Sequence, residues 1–169
     1  MADLKIKYAT AAAITISVAS LATSATRTAG QESTQLNNTV NLYDDAFVRG
    51  FITVGTTPTV AKQIDIWVYG SNESLQTAGN EIDVFDGTDS AETITSERVR
   101  NSALKLAAVI EVDATSDRKY FVQFSVAALF GGVVPSFWGL FIAHDTAVAL
   151  NATAGNHEFE YTGIQYQSV

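Results

Sequence analysis

Residues Tyr120–Ala143 read YFVQFSVAALFGGVVPSFWGLFIA, a run without one charged side chain. A spanning helix needs about 20 predominantly apolar residues, so length alone would admit a membrane segment. The interior argues against it. Gly131-Gly132 and Pro135 put helix breakers at the midpoint, and backbone groups freed there would find no partner in lipid without a surrounding bundle. On either side the pattern has a period of two. Phe121, Gln123 and Ser125 alternate with Tyr120, Val122 and Phe124, and Phe137, Gly139 and Phe141 alternate with Trp138, Leu140 and Ile142. This is the signature of strands. The stretch is expected to form two buried strands joined across Ser125–Ser136, with one short helical turn at VAALF.

With Lys119–Ser125 and Phe137–Ala143 as the two strands of that stretch, the other strand-like runs, working outward, are Leu4–Tyr8, Ala13–Leu21, Leu42–Val54, Gln63–Tyr69, Ala103–Val112 and Glu158–Tyr166. Turn residues separate them at Gly55-Thr56-Thr57-Pro58, Gly70-Ser71-Asn72, Asp113–Asp117 and Asn151–Asn156. About eight strands and almost no helix imply an all-β, two-sheet sandwich that is jelly-roll-like. At 169 residues the chain suits one domain with a sizeable core. The expected layout is an N-terminal arm or strand over residues 1–10 and a sandwich over 11–169, with a long acidic loop at 72–100. The beginning, MADLKIKYATAAAITISVASLATSA, also has features of a signal peptide. Its uncharged part is rich in Thr, Ser and Val, and Ile14, Ile16 and Val18 alternate with Thr15, Ser17 and Ala19. It therefore reads as a strand.

The chain is 47% hydrophobic and only 17% charged, so it is expected to be globular. A net charge of -8 repels phosphate backbones, and neither nucleic acid nor a membrane is an expected partner. With no cysteine there is no disulfide, thiolate zinc site or thiol nucleophile. His144 and His157 lack a second ligand at metal-binding spacing. Carboxylates at Glu81, Asp83, Asp86, Asp89 and Glu92 crowd around Gly87, which invites a calcium reading, but EIDVFDGTDS does not place them as a calcium loop does. His144-Asp145 would be a base and its orienting carboxylate, except that neighbours on a strand face opposite ways. No nucleophile elbow, P-loop or dinucleotide fingerprint occurs. No enzyme activity, no catalytic residue and no cofactor are expected. QIDIWVYG places Ile64, Ile66 and Val68 on one face and Asp65, Trp67 and Tyr69 on the other, so a neighbour or the chain itself should cover that second face. If exposed, Trp67, Tyr69, Phe137 and Trp138 would offer stacking platforms for sugar rings, the basis of a carbohydrate-binding alternative.

Four segments, ATRTAGQEST (25–34), NLYDDAFVRGFITVGTTPTVAKQIDIWVYGS (41–71), DVFDGTDSAETIT (83–95) and the run from Ala103 to Tyr166, together resemble small virion structural proteins of tailed bacteriophages. The likeness is greatest to capsid decoration, or cement, proteins. That resemblance implies a jelly-roll-like module on the outer capsid surface, assembled in the host cytoplasm. Such a module forms a homo-oligomer, a dimer or trimer, and clamps neighbouring copies of the major capsid protein. A tail or head-fibre component is the alternative within the same class. The residues expected to meet a partner are Leu4, Ile6 and Tyr8, in an arm from Met1 to about Tyr8, and Asp83, Asp86 and Asp89 in the acidic loop.

Overall fold

Eleven strands, three short α-helices and one turn of 3-10 helix at Ala154–Asn156 make up the regular backbone of the computed structural model, which describes residues 3–78 and 81–168. The strands are β1 (Leu4–Tyr8), β2 (Ala12–Ala13), β3 (Ala29–Glu32), β4 (Leu36–Asn37), β5 (Asp45–Thr53), β6 (Lys62–Ser71), β7 (Ala91–Thr93), β8 (Lys105–Val112), β9 (Lys119–Ser125), β10 (Phe137–His144) and β11 (Glu158–Ser168). The helices are α1 (Leu75–Ala78), α2 (Glu97–Ala103) and α3 (Val126–Leu129). One sheet runs β1-β11-β5-β9, with β2 also on β11; the second runs β7-β3-β10-β6-β8, with β4 also on β10. All pairings are antiparallel.

The eight principal strands pair in nested fashion: β1 with β11, β3 with β10, β5 with β9 and β6 with β8. A long hairpin rolled up so that successive pairs fall in alternate sheets gives this order. It is the jelly-roll topology. The charge-free stretch divides where its breakers lie. Residues 119–125 form β9, the turn at VAAL is α3, and Gly131 and Gly132 take φ of +76° and +99° in the loop before β10. The Ser125 hydroxyl caps α3, accepting from Ala128 N at 3.1 Å.

Burial explains why β10 is so apolar. Trp138, Leu140 and Ile142 face the core between the sheets with Val48, Ile52 and Phe159, while Phe141 and Ala143 enter a second core on the outer side of the β6/β10 sheet. β6 divides in the same way, with Ile64, Ile66 and Val68 inward and Trp67 and Tyr69 in the second core. A strand packed on both faces has no polar side to show.

The second core exists because residues 72–104 fold back on the sheet as a third layer. Leu75, Ile82, Phe85, Ile94 and Leu104 pack on Trp67, Tyr69 and Phe141. Phe85 stacks on Tyr69 with centroids 5.2 Å apart, and the Arg100 guanidinium lies 4.8 Å from the centroid of Trp67. The segment read as a loop thus holds α1, β7 and α2, with Ser96 capping α2 by accepting from Val99 N at 3.3 Å.

Two expected strands are shorter than their patterns suggested, and one strand gave no pattern. Ala13–Leu21 keeps its alternation, with Ile14 and Val18 buried and Thr15 and Ser17 exposed, but forms a ladder only at Ala12–Ala13; beyond it the backbone makes isolated bonds, Ile14 N–H to Phe159 O at 2.8 Å, Thr34 N–H to Thr15 O at 2.9 Å, Ser20 N–H to Asn151 O at 3.1 Å and Leu150 N–H to Leu21 O at 3.0 Å. Alternation there records burial of extended backbone with no strand alongside. Leu42 sits at φ +52° and is exposed, so the run from Leu42 turns first and becomes a strand at Asp45. β3 reads AGQE, without one large apolar residue.

Candidate interaction surface

The outer face of the β1-β11-β5-β9 sheet has no third layer among the described residues. Directly opposed partners in an antiparallel pair share a face, so the register maps this surface. Leu4, Ile6 and Tyr8 stand opposite Ser168, Tyr166 and Ile164. The next rows join Thr162, Phe47 and Ser125, then Glu160, Arg49 and Gln123, then Glu158, Phe51 and Phe121. Leu4, Ile6, Tyr8, Phe47, Phe121 and Tyr166 are all exposed, Leu4 and Phe121 at 73% and 74%. One end of the face is therefore aliphatic and tyrosyl, and the other is phenylalanyl.

At the phenylalanyl end a depression of about 330 Å³ is lined by Arg49, Phe51, Phe121, Gln123 and Glu158. Phe51 and Phe121 lie 6.0 Å apart at a tilt of 58°, and Lys119 Nζ is 3.8 Å from the Phe51 centroid. Arg49 pairs with Glu160 across the strands. Arg49 is largely solvent-exposed, so this pair adds at most about 1 kcal/mol. Its effect is to balance charge within an apolar face.

The opposite side of the molecule is acidic. Residues 72–104 carry seven of the 18 carboxylates and two of the ten basic side chains. Asp83 accepts from Thr95 N and Oγ1 at 2.8 Å, Asp86 from Thr88 N at 2.9 Å and Oγ1 at 2.6 Å, and Asp89 from Ser17 N at 2.9 Å and Gln31 Nε2 at 2.6 Å. Each of these carboxylates ties the third layer to itself or to the sandwich. Leu4, Ile6 and Tyr8, by contrast, have open side chains. The six residues picked out in the sequence lie on two different surfaces, and Met1 and Ala2, the start of the expected arm, lie outside the described residues.

Glu32 gave no sequence signal and is the most perturbed carboxyl. It is fully buried on β3 and accepts from Gly87 N at 2.9 Å and Asp86 N at 3.2 Å. Glu32, Asp86 and Glu92 each offer an oxygen within 4.8 Å of the others. The calcium reading had instead grouped Asp86 and Glu92 with Glu81, Asp83 and Asp89. Burial raises the Glu32 pKa to about 7, against hydrogen bonds from Tyr69 and the two backbone N–H groups that lower it. Burial, then Glu32 itself, pushes the Tyr69 hydroxyl up.

A raised folded pKa means that the folded state holds the Glu32 proton more tightly than the unfolded chain does. Stability from this group is therefore full below about pH 4.5 and falls as pH rises through about 7. His144 and His157 have the opposite sign, because burial lowers both. Comparing wild type with Glu32→Gln cancels the histidines. Between pH 4.5 and 8 the wild type should lose roughly 3 kcal/mol relative to the variant. Urea unfolding at a series of pH values checks this, and parallel curves would contradict it.

The histidines serve the fold. His144 is buried, with Nε2 2.9 Å from Leu21 O and Nδ1 3.0 Å from Thr146 Oγ1. Asp145 turns the other way, accepting from Arg27 at 3.0 Å and Gln63 N at 2.7 Å. His144 ends β10 and Asp145 follows it, so the two side chains meet different partners. No helix among the described residues is long and apolar enough to cross a membrane.

Trp67, Tyr69 and Trp138 are buried and Phe137 is half-buried, so three of the four aromatics considered as sugar platforms are core residues. The sequence matches no protein-family model and no curated protein.

Proposed function

We propose that this chain decorates the outside of an assembled viral head, where it bridges neighbouring subunits of the major capsid protein and stabilises the shell. One observation carries the reading: the chain covers one sheet with its own residues 72–104 and leaves the other sheet's face of Leu4, Ile6, Tyr8, Phe47, Phe121 and Tyr166 open to solvent. Exposed apolar surface of this kind marks an interaction site. The jelly roll is compatible with the role, since that fold recurs in viral capsid proteins, although fold alone does not assign a function.

The physics of the role needs no chemistry at one site. A modest contact repeated over a lattice gains strength through multivalency, and oligomers of the chain, dimers or trimers, add to it. A protein that binds the assembled shell and not its free subunits stabilises the shell by linkage. The net charge of -8 opposes unspecific aggregation of the free protein.

Adding saturating protein to undecorated expanded heads should raise the temperature at which they open. An unchanged opening temperature for heads, together with binding to isolated tails, would move the assignment to a tail component.

A further inference from the structure

Strand β1 is an open edge: among the described residues it pairs with β11 alone. Next to it, Ala9 N–H donates to Gly163 O at 2.8 Å. Backbone groups alternate in direction along an antiparallel strand. Lys5 and Lys7 therefore turn theirs toward β11, while Leu4, Ile6 and Tyr8 turn N–H and C=O toward the unoccupied side. The β5 register on β11 ends at Ile164, so Gln165–Ser168 pair in the sheet with β1 only. Beyond that point the two strands are a ribbon with different faces. Leu4, Ile6 and Tyr8 line up with Tyr166 and Ile164, and Lys5 and Lys7 with Gln167 and Gln165.

Lysines on an exposed edge commonly keep other strands away. That account fits this chain poorly. With a net charge of -8, copies would be held off by carboxylates, whereas Lys5 and Lys7 are exposed and join no ion pair among the described residues. A protected edge would also avoid three exposed apolar residues at the alternate positions.

We propose that β1 is a docking edge for an extended acidic strand of another protein. The strand adds antiparallel, hydrogen-bonding to Leu4, Ile6 and Tyr8, and sets carboxylates opposite Lys5 and Lys7 with apolar side chains on the other face. Edge addition of this kind takes affinity from the backbone and specificity from alternate side chains. Lys5 and Lys7 occupy the non-hydrogen-bonded positions relative to the incoming strand, where opposed Cα atoms approach to about 4.5 Å, so charge is read there at its strongest. A second copy of β1 does not fit. The antiparallel registers that overlap most of β1 with its apolar residues on one face, those centred on Lys5, Ile6 or Lys7, set lysine opposite lysine, which is destabilising.

This inference rests on the proposed function in naming the shell element that β1 would take, an acidic extended segment, and its first test needs no heads. The probes are two capped heptapeptides, one alternating glutamate with valine and one alternating lysine with valine, titrated separately into the full-length protein labelled with nitrogen-15. The glutamate peptide should shift backbone amides across Asp3–Ala9 and bind about tenfold more tightly than the lysine peptide. The double variant Lys5→Glu/Lys7→Glu should reverse the preference with an unchanged circular dichroism spectrum. Equal affinities, shifts confined to other strands, or an unreversed preference would overturn the proposal. Concentration-dependent shifts of the same amides without peptide would overturn it in favour of a second copy. If heads bind the double variant as well as wild type, the decoration role stands and the acidic-strand docking falls.

Discussion

Replacing Phe85 by alanine should destabilise the protein by about 3–5 kcal/mol, the range for deleting a fully buried phenylalanine. Phe85 is 0% exposed and is central to the third layer. It stacks on Tyr69 at 5.2 Å and meets Phe141 at 5.3 Å and 58°. The adjacent backbone N–H groups of Asp86 and Gly87 satisfy the buried Glu32. Removing the ring leaves a cavity over β6 and β10 and loosens the loop that supplies those donors. The cost then exceeds the transfer energy of the side chain alone. Urea unfolding followed by tryptophan fluorescence measures the loss, and Trp67 beneath Arg100 reports on the layer. A change below 1 kcal/mol would show that residues 72–104 contribute little to stability and that the covered sheet does not need its cover.

The second large effect belongs to the open face and concerns binding. In the free chain Ile6 is 55% exposed and Phe121 is 74% exposed. Ile6→Glu combined with Phe121→Glu should leave the unfolding free energy within about 1 kcal/mol of wild type, as surface substitutions generally do. Affinity for undecorated heads should fall by about a hundredfold or more, since burying two unpaired carboxylates in place of two apolar anchors costs at least a hot spot's worth of binding energy. Sedimentation titrations of the two proteins give the ratio. Deleting residues 1–8 would be a poorer test, because β1 is paired along its whole length with β11 and its loss would disturb the sheet. A double variant that binds as wild type does would place the contact elsewhere, with the acidic layer the next surface to try.

The fold was legible where both faces of a strand or its flanking turns left a pattern. Tyr120–Ala143 resolved into β9, α3 and β10 because Gly131, Gly132 and Pro135 interrupt it and period-two alternation flanks them. β6 was legible to within two residues at its ends, Gln63–Tyr69 expected against Lys62–Ser71 found, and its two apolar faces correctly implied a cover. What covered it was not legible. Leu75, Ile82, Phe85 and Ile94 are spaced irregularly among acidic and small residues, so residues 72–100 read as an acidic loop, and Leu104 read as the start of a strand. β3 was invisible for a related reason: Gly30, Gln31 and Glu32 are buried, but none is a large apolar residue. Alternation also overstated Ala13–Leu21, since extended backbone can bury every second side chain without a neighbouring ladder.

The candidate surface was half legible. Leu4, Ile6 and Tyr8 stood out as an apolar alternation near the chain start, and the structure opens all three to solvent on one face with Tyr166. Phe47, Phe51 and Phe121 join them only through the register of three strands distant in sequence. The acidic residues were legible as charge but not as structure. Asp83, Asp86 and Asp89 bond to hydroxyl, amide and backbone N–H groups whose positions depend on the folded layer.

The most direct measurement is co-sedimentation of the purified protein with undecorated expanded heads over a range of concentrations. Wild type should saturate at a fixed number of copies per head, and Ile6→Glu/Phe121→Glu should remain in the supernatant at the same concentrations. Wild type left wholly in the supernatant would contradict the central claim that the open sheet face docks this protein on an assembled shell.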